Sequence, residues 1–202
     1  HVEMNKDACD TLRTRTAFHY LKENERVDEY YEYLKGNISR DELWNKIPNN
    51  LINSVINKEI SENTLDEIFN TIDEELGRKS VDLIIGGPPC QAYSIVGRAR
   101  KDMADDPRNH LYKHYVKFLE KYRPKMFVFE NVPGMLSAKP GGVSIVERIT
   151  EAFAEKGYEI TNNLRENALI DCTKFGVPQA RKRMVILGVN KSLIKESPQV
   201  AL

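Results

Sequence analysis

A cysteine, a glutamate and two arginines fall at the ends of three apolar runs in this chain. Cys90 follows Val81-Asp82-Leu83-Ile84-Ile85 and the turn Gly86-Gly87-Pro88-Pro89. Glu130 closes the run Met126-Phe127-Val128-Phe129 and is followed by Asn131-Val132. Arg181 and Arg183 stand in Gln179-Ala180-Arg181-Lys182-Arg183, which leads into Met184 to Val189. A strand that ends in glycine and proline and then offers a cysteine puts a thiol at the carboxyl edge of a sheet. Open α/β folds bind their ligands at that edge. A thiol, a carboxyl and a guanidinium, each at a strand edge, are the groups that covalent chemistry on a pyrimidine ring requires.

These residues need strands to deliver them and helices to cover the strands. Val81 to Ile85 and Met126 to Phe129 are predicted strands, with a helix over Asn109 to Tyr122 between them. Residues 92 to 107 form a polar loop, and a helix over Val143 to Lys156 stops at Gly157. The stretch 158 to 170 and the run Met184 to Val189 are predicted as strands near each other. Alternating strands and helices argue for an α/β fold with a mostly parallel sheet.

Upstream, residues 1 to 4 end a strand and Lys6 to Leu21 read as helical. Residues 23 to 79 are a charged helical stretch. Within it, Ser39-Arg40-Asp41-Glu42 and Thr64-Leu65-Asp66-Glu67 both fit a capping box. Leu65, Ile68, Phe69, Ile72 and Leu76 keep a helical period up to Gly77, a C-terminal cap. Pro48 separates two helices, and Tyr30, Tyr31 and Tyr33 pack this stretch onto the main domain.

Composition narrows the setting. Lys plus Arg and Asp plus Glu both number 30, so any basic surface must be local. The 3 cysteines, Cys9, Cys90 and Cys172, lack metal-type spacing and suggest neither a zinc site nor a disulfide framework. A reducing, cytoplasmic setting fits. No apolar run is long enough to span a membrane.

Gly-Gly-Pro-Pro-Cys-Gln at 86 to 91, Glu-Asn-Val at 130 to 132 and Gln-Ala-Arg-Lys-Arg at 179 to 183 resemble the signature blocks of the cytosine-C5 DNA methyltransferases. Val2-Glu3-Met4-Asn5 resembles that family's cofactor-ribose segment. The likeness covers residues 1 to 22 and 80 to 190 and implies a Rossmann-like methyltransferase sheet with helices on both faces. It divides the chain into part of a cofactor-binding half (1–22), an insertion (23–79) and a catalytic core (80–202). It also implies a bacterial modification enzyme paired with a restriction nuclease, acting with S-adenosylmethionine on double-stranded DNA.

By that resemblance, Cys90 attacks carbon 6 of a flipped-out cytosine, which makes carbon 5 nucleophilic. Glu130 hydrogen-bonds and protonates ring nitrogen 3. Arg183 binds the carbonyl oxygen at ring position 2, and Arg181 orders Glu130 or the cysteine loop. Lys182 has the opposite strand parity and points away, and Asn131 fixes the loop. Gln179 is structural or catalytic. Glu3 receives the cofactor's ribose hydroxyls and Met4 lies along its adenine, where the family often has an aromatic residue. Pro89 and Leu111 touch the cofactor's adenine or methionine end. Asp28, Asp66 and Asp73 are the candidates for the acid that receives the adenine amine. Residues 94 to 108 resemble a mobile loop whose Ser94, Arg98, Arg100 and Lys101 close on DNA phosphates.

Neither the family's opening glycine-rich loop nor a recognition domain is found. The expectation is a fragment that binds the cofactor weakly or not at all. Three other readings remain: a transfer RNA methyltransferase of the same family, a non-catalytic DNA-binding relative, and a thiol hydrolase using His110 or His114.

Overall fold

The computed structural model describes residues 1–89, 111–139, 142–200 and 202. Cys90, Ser94, Arg98, Arg100 and Lys101 lie outside the described residues. The chain divides into two compact units, His1–Arg78 and Lys79–Leu202.

The first unit opens with strand β1 (Val2–Glu3) and helix α1 (Lys6–Glu23), whose N-cap Asn5 accepts from the Ala8 N–H at 3.0 Å. Helices α2 (Val27–Leu34), α3 (Arg40–Trp44) and α4 (Asn49–Asn53) lead to β2 (Ile56–Asn57), which runs parallel to β1 with Glu3 opposite Asn57. Helix α5 (Leu65–Leu76) follows and ends on Gly77 at φ +58. Ala17, Leu21, Leu43 and Ile47 form the core, with Tyr30 and Tyr33 packed on it. Tyr30 meets Phe18 of α1 edge-on at 5.0 Å, so two of the predicted tyrosines pack within this unit. Buried Asp10 on α1 takes Lys6 at 2.7 Å, Arg40 of α3 at 3.2 Å and Arg13 at 3.3 Å. The Lys6 hydrogen bond, followed by the other cations, holds its carboxyl below the usual range.

The Ser39 capping box forms: its hydroxyl accepts from the Glu42 N–H at 3.2 Å and the Glu42 carboxylate accepts from the Ser39 N–H at 2.7 Å. The Thr64 box does not. Thr64 Oγ1 donates to the Glu59 carbonyl at 2.6 Å and accepts from the Ser61 N–H at 3.0 Å, so the turn before the helix has taken the hydroxyl that would cap it.

The second unit holds a 5-stranded open sheet in the order β3-β4-β7-β5, with β6 also on β7. Strand β3 (Leu83–Gly86) connects to β4 (Met126–Asn131) through α6 (Leu111–Tyr122), and these two strands are parallel. A 3-10 turn at Pro133–Ser137 and helix α7 (Ile145–Glu155) lead to β5 (Tyr158–Ile160). Helix α8 (Leu164–Asn167), β6 (Leu169–Asp171), β7 (Lys182–Asn190) and α9 (Lys191–Glu196) complete the unit. The α/β class holds, but the described sheet is mixed rather than mostly parallel. Strand β7 runs antiparallel to β4 on one edge and to β5 and β6 along the other. Residues 172–181, which join β6 to β7, are fewer than the roughly dozen that a parallel crossover needs.

Alternation decides what each strand shows. Phe127, Phe129, Met184 and Ile186 point into a core with Tyr115, Leu119, Ile149, Phe153 and Tyr158. Val128, Glu130, Arg183 and Val185 carry the opposite parity and are half-buried.

Tyr158 donates to the Pro124 carbonyl at 2.9 Å, and burial pushes its hydroxyl up to about 12 from 10.0. Burial also raises Tyr115. The fold favours both neutral forms, so this stability is complete below pH 10.0 and is lost as pH rises toward about 12. Urea unfolding followed through the alkaline range should show that decline, and Tyr158→Phe should make it shallower. An identical slope in the variant would remove Tyr158 as its source.

Candidate active site

Three polypeptide segments meet at one edge of the second unit's sheet. They are the carboxyl ends of β3 and β4 and the amino end of the antiparallel β7. Glu130 lies opposite Val185 on β7, so Arg183, two residues away, is its diagonal neighbour on the same face. Arg183 Nε stands 2.7 Å from Glu130 Oε1, and Arg181 Nη2 stands 3.9 Å from the same oxygen. The Arg183 Nη1 also donates to the Lys182 carbonyl at 2.8 Å. The carboxylate keeps 41% of its side-chain surface exposed, so the pair is open to solvent. Lys182, of the other parity, has its Nζ 4.0 Å from Asp171 on β6.

The turn that leads to Cys90 is tied to β4. Asn131 is buried, its Nδ2 donates to the Pro88 carbonyl at 3.1 Å, and its Oδ1 accepts from the Val132 N–H at 2.9 Å. Gly86 pairs with Phe129. Beneath this pair, the Tyr115 hydroxyl lies 3.2 Å from the Ile84 carbonyl and 3.0 Å from that of Val128, with one hydrogen to share between β3 and β4. Asn131→Ala should cost about 1–2 kcal/mol, because it strands a part-buried carbonyl and a part-buried N–H. Thermal melting measures this, and an unchanged Tm would mean that the two bonds contribute nothing.

On the far side of β7, Asp171 shapes the loop that carries Gln179 and Arg181. Its carboxylate accepts from the Thr173 hydroxyl at 2.7 Å and the Thr173 N–H at 3.1 Å, which lowers its pKa. The loop is closed at its base by the Cys172 N–H, which donates to the Arg181 carbonyl at 2.9 Å. Gln179 is exposed there.

Of the residues expected to hold a cofactor, Pro89 is exposed just beyond β3 and Leu111 is half-buried at the start of α6. Glu3 and Met4 belong to the first unit, at the carboxyl end of β1. Glu3 Oε1 accepts from the Asn5 N–H at 2.9 Å, and Met4 is 63% exposed. Asn57 at the end of β2 donates to the carbonyls of Glu3 at 3.1 Å and Met4 at 3.0 Å, which fixes the shape of that turn. Two residues further on stands the exposed carboxylate of Glu59. Asp28, Asp66 and Asp73 lie in α2 and α5 rather than at a strand end. The sequence pattern does not reveal that Asn57 and Glu59 stand beside this turn, because β2 is only 2 residues long and follows a long helical stretch. The one available signal was the short apolar pair Val55-Ile56 after a helix.

Among the described residues no group of acidic, cysteine and histidine side chains could hold a metal ion. None of the described helices is long and apolar enough to cross a membrane.

Residues 49–201 match the family model of the C-5 cytosine-specific DNA methylases. The chain is 38% identical, over 98% of its length, to Type II methyltransferase M.Bpa9945I of Bacillus paralicheniformis, and covers 50% of that relative. It is 40% identical to DNA (cytosine-5-)-methyltransferase M.ApeKI of Aeropyrum pernix over 55% of the chain and 28% of the relative. The chain thus spans half the length of the first of these relatives and less of the second. A solved structure of a candidate DNA modification methyltransferase from an E. coli prophage aligns at a TM-score of 0.49 and 27% identity. That alignment covers 69% of this chain and 34% of the other.

Proposed function

The chain belongs to the C-5 cytosine-specific DNA methylase family, and from that premise we propose that it carries the catalytic groups of a DNA cytosine-5 methyltransferase that uses Cys90 as a covalent nucleophile. The observation that carries the reading is the ion pair of Glu130 and Arg183, 2.7 Å apart beside the turn that leads to Cys90.

The roles follow from the groups. Carbon 5 of cytosine is a poor nucleophile until the ring loses its aromaticity. The Cys90 thiolate adds to carbon 6. A carboxyl at Glu130 faces ring nitrogen 3 and the exocyclic amine, and it delivers a proton to that nitrogen as negative charge enters the ring. The same carboxyl disfavours thymine, which presents an N–H there. Arg183 is a fixed cationic donor for the carbonyl oxygen at position 2. Its present partner, Glu130 Oε1, holds it at the site before a base arrives. Arg181, further from the carboxylate, keeps it in place when Arg183 turns to the ring. Once carbon 5 has formed its bond to the methyl group, its proton leaves to a base, the thiolate is expelled and nitrogen 3 returns its proton to Glu130, which restores the aromatic ring. A base stacked in a duplex shows carbon 6 to no thiol, so the cytosine must be flipped out. Ser94, Arg98, Arg100 and Lys101 are the residues proposed to close on the backbone once it is.

S-adenosylmethionine, when bound, supplies the electrophilic sulfonium methyl. The residues of the first unit suit its nucleoside. Glu3 offers a carboxylate to a ribose diol, held in shape by Asn57, and Glu59 offers the acid for an adenine amine at the neighbouring parallel strand end. In the second unit, Pro89 and Leu111 are the residues proposed to touch the cofactor.

The test is covalent trapping. The whole protein is incubated with S-adenosylmethionine and duplex DNA bearing 5-fluorocytosine, where fluorine cannot leave as the proton does, and run on a denaturing gel. A retarded protein–DNA band is expected. A band on similarly substituted transfer RNA and none on DNA would move the substrate to RNA. No band on either would point to a non-catalytic relative.

A further inference from the structure

The two glycines before Pro88 answer to different neighbours. Neither Gly86 nor Gly87 is among the glycines with positive φ, so backbone conformation does not require glycine at either position. Space does. A Cβ on Gly86 would lie 2.9 Å from Tyr115 Cε2, on the core side of the sheet. A Cβ on Gly87 would lie 2.6 Å from the Glu130 carbonyl oxygen and 2.8 Å from Glu130 Oε2. Both distances are under the 3.0 Å that real Cβ atoms respect.

The half-exposed carboxylate swings away from such a group only by giving up its ion pair, and the Glu130 backbone carbonyl has no such freedom. The carboxylate's Oε1 is held on the other side by Arg183 Nε at 2.7 Å. Nor can the turn back off, because Asn131 Nδ2 grips the Pro88 carbonyl at 3.1 Å. Residue by residue, β3 and its extension stay in step with β4. Gly86 pairs with Phe129, Gly87 touches Glu130, and Pro88 is bonded to Asn131. The carboxylate is therefore wedged between a guanidinium and a stretch of bare backbone.

We propose that Gly87 is a positioning residue: by having no side chain it sets where the Glu130 carboxyl stands relative to the turn that carries Cys90. The two groups must reach different atoms of one cytosine, carbon 6 for the thiol and nitrogen 3 for the carboxyl, so their separation is part of the chemistry. This inference rests on the role given to Glu130 above. A methyl at residue 87 must push apart the two segments whose spacing matters, and a displacement of that kind costs on the order of 100-fold in rate.

The experiment is a double-mutant cycle. Adduct formation on 5-fluorocytosine duplex is timed for the wild-type chain, Gly87→Ala, Glu130→Ala and the double variant. Gly87→Ala should lower the rate constant at saturating DNA on the order of 100-fold. The half-saturating DNA concentration should stay within about twofold of wild type. In the Glu130→Ala background the same substitution should cost less, on the order of tenfold, because the carboxyl is gone while the Glu130 backbone carbonyl, 2.6 Å from the added Cβ, remains. Effects that multiply in the double variant, or a Gly87→Ala rate equal to wild type, would overturn the inference. Should Gly87→Ala melt too low to assay, the cycle is read in Tm. Partial recovery of Tm on adding Glu130→Ala supports the contact, and no recovery overturns it. A wild-type chain that forms no adduct sinks the functional reading and this inference together, whereas trapping by the wild type with a multiplicative cycle sinks only this one.

Discussion

Glu130→Ala is expected to slow covalent trapping of cytosine by about 100- to 10,000-fold, and Cys90→Ser to leave no adduct at all. The two differ because the thiol forms the bond, whereas the carboxyl lowers the barrier to forming it. Once Glu130 is gone, negative charge entering the ring has no proton to meet at nitrogen 3. Arg183→Ala should cost about 100- to 1,000-fold, since it removes the donor at the ring carbonyl and frees Glu130 Oε1 from its 2.7 Å partner. Lys182→Ala is the control from the same segment. Its Nζ faces Asp171 from the other side of β7, and it should trap at the wild-type rate. A Glu130→Ala rate within about tenfold of wild type would remove this carboxyl from the chemistry. A Lys182→Ala defect as deep as that of Arg183→Ala would mean that the segment works through general charge rather than through one guanidinium.

Gly188→Ala should be the most destabilising added methyl among the second unit's described glycines, costing about 3 kcal/mol and lowering Tm on the order of 10 °C. Gly188 lies directly opposite Phe127 across the antiparallel pairing, and the Phe127 ring already fills the volume a Cβ would need. That ring cannot move aside, since Phe153 lies 4.6 Å and Tyr158 5.2 Å from its centroid. All three side chains are fully buried. A methyl here must open β4 from β7 or tilt the aromatic cluster, and cores tolerate neither well. The damage should also reach the site, because the β4–β7 register sets Arg183 beside Glu130. Phe127→Leu in the same chain makes room and should return part of the lost Tm. A Gly188→Ala melt close to wild type would show that the cluster is looser than its packing implies.

Much of this was legible in the residues alone. The apolar runs before Gly86, before Glu130 and after Arg183 became β3, β4 and β7. Ser39 and Glu42 capped a helix as their spacing predicts, because a capping box is closed within four consecutive residues. Thr64 carries the same local pattern but lost its hydroxyl to the Glu59 carbonyl, five residues back and outside that window. The mostly parallel sheet expected from alternating elements became mixed, because strand direction depends on which neighbour a strand finds.

The sequence by itself determined which groups are available and which face of a strand each takes. Alternation is a property of the single strand, so Glu130 and Asn131 take opposite faces of β4, and Arg183 and Met184 opposite faces of β7, whatever the partners are. Only the tertiary structure decided that Glu130 stands 2.7 Å from Arg183, that Asn131 holds the Pro88 carbonyl, and that Gly87 leaves space for a carboxylate. Those distances depend on strand order, direction and register. All three are settled by how residues far apart in the chain pack into one core, which no local pattern encodes.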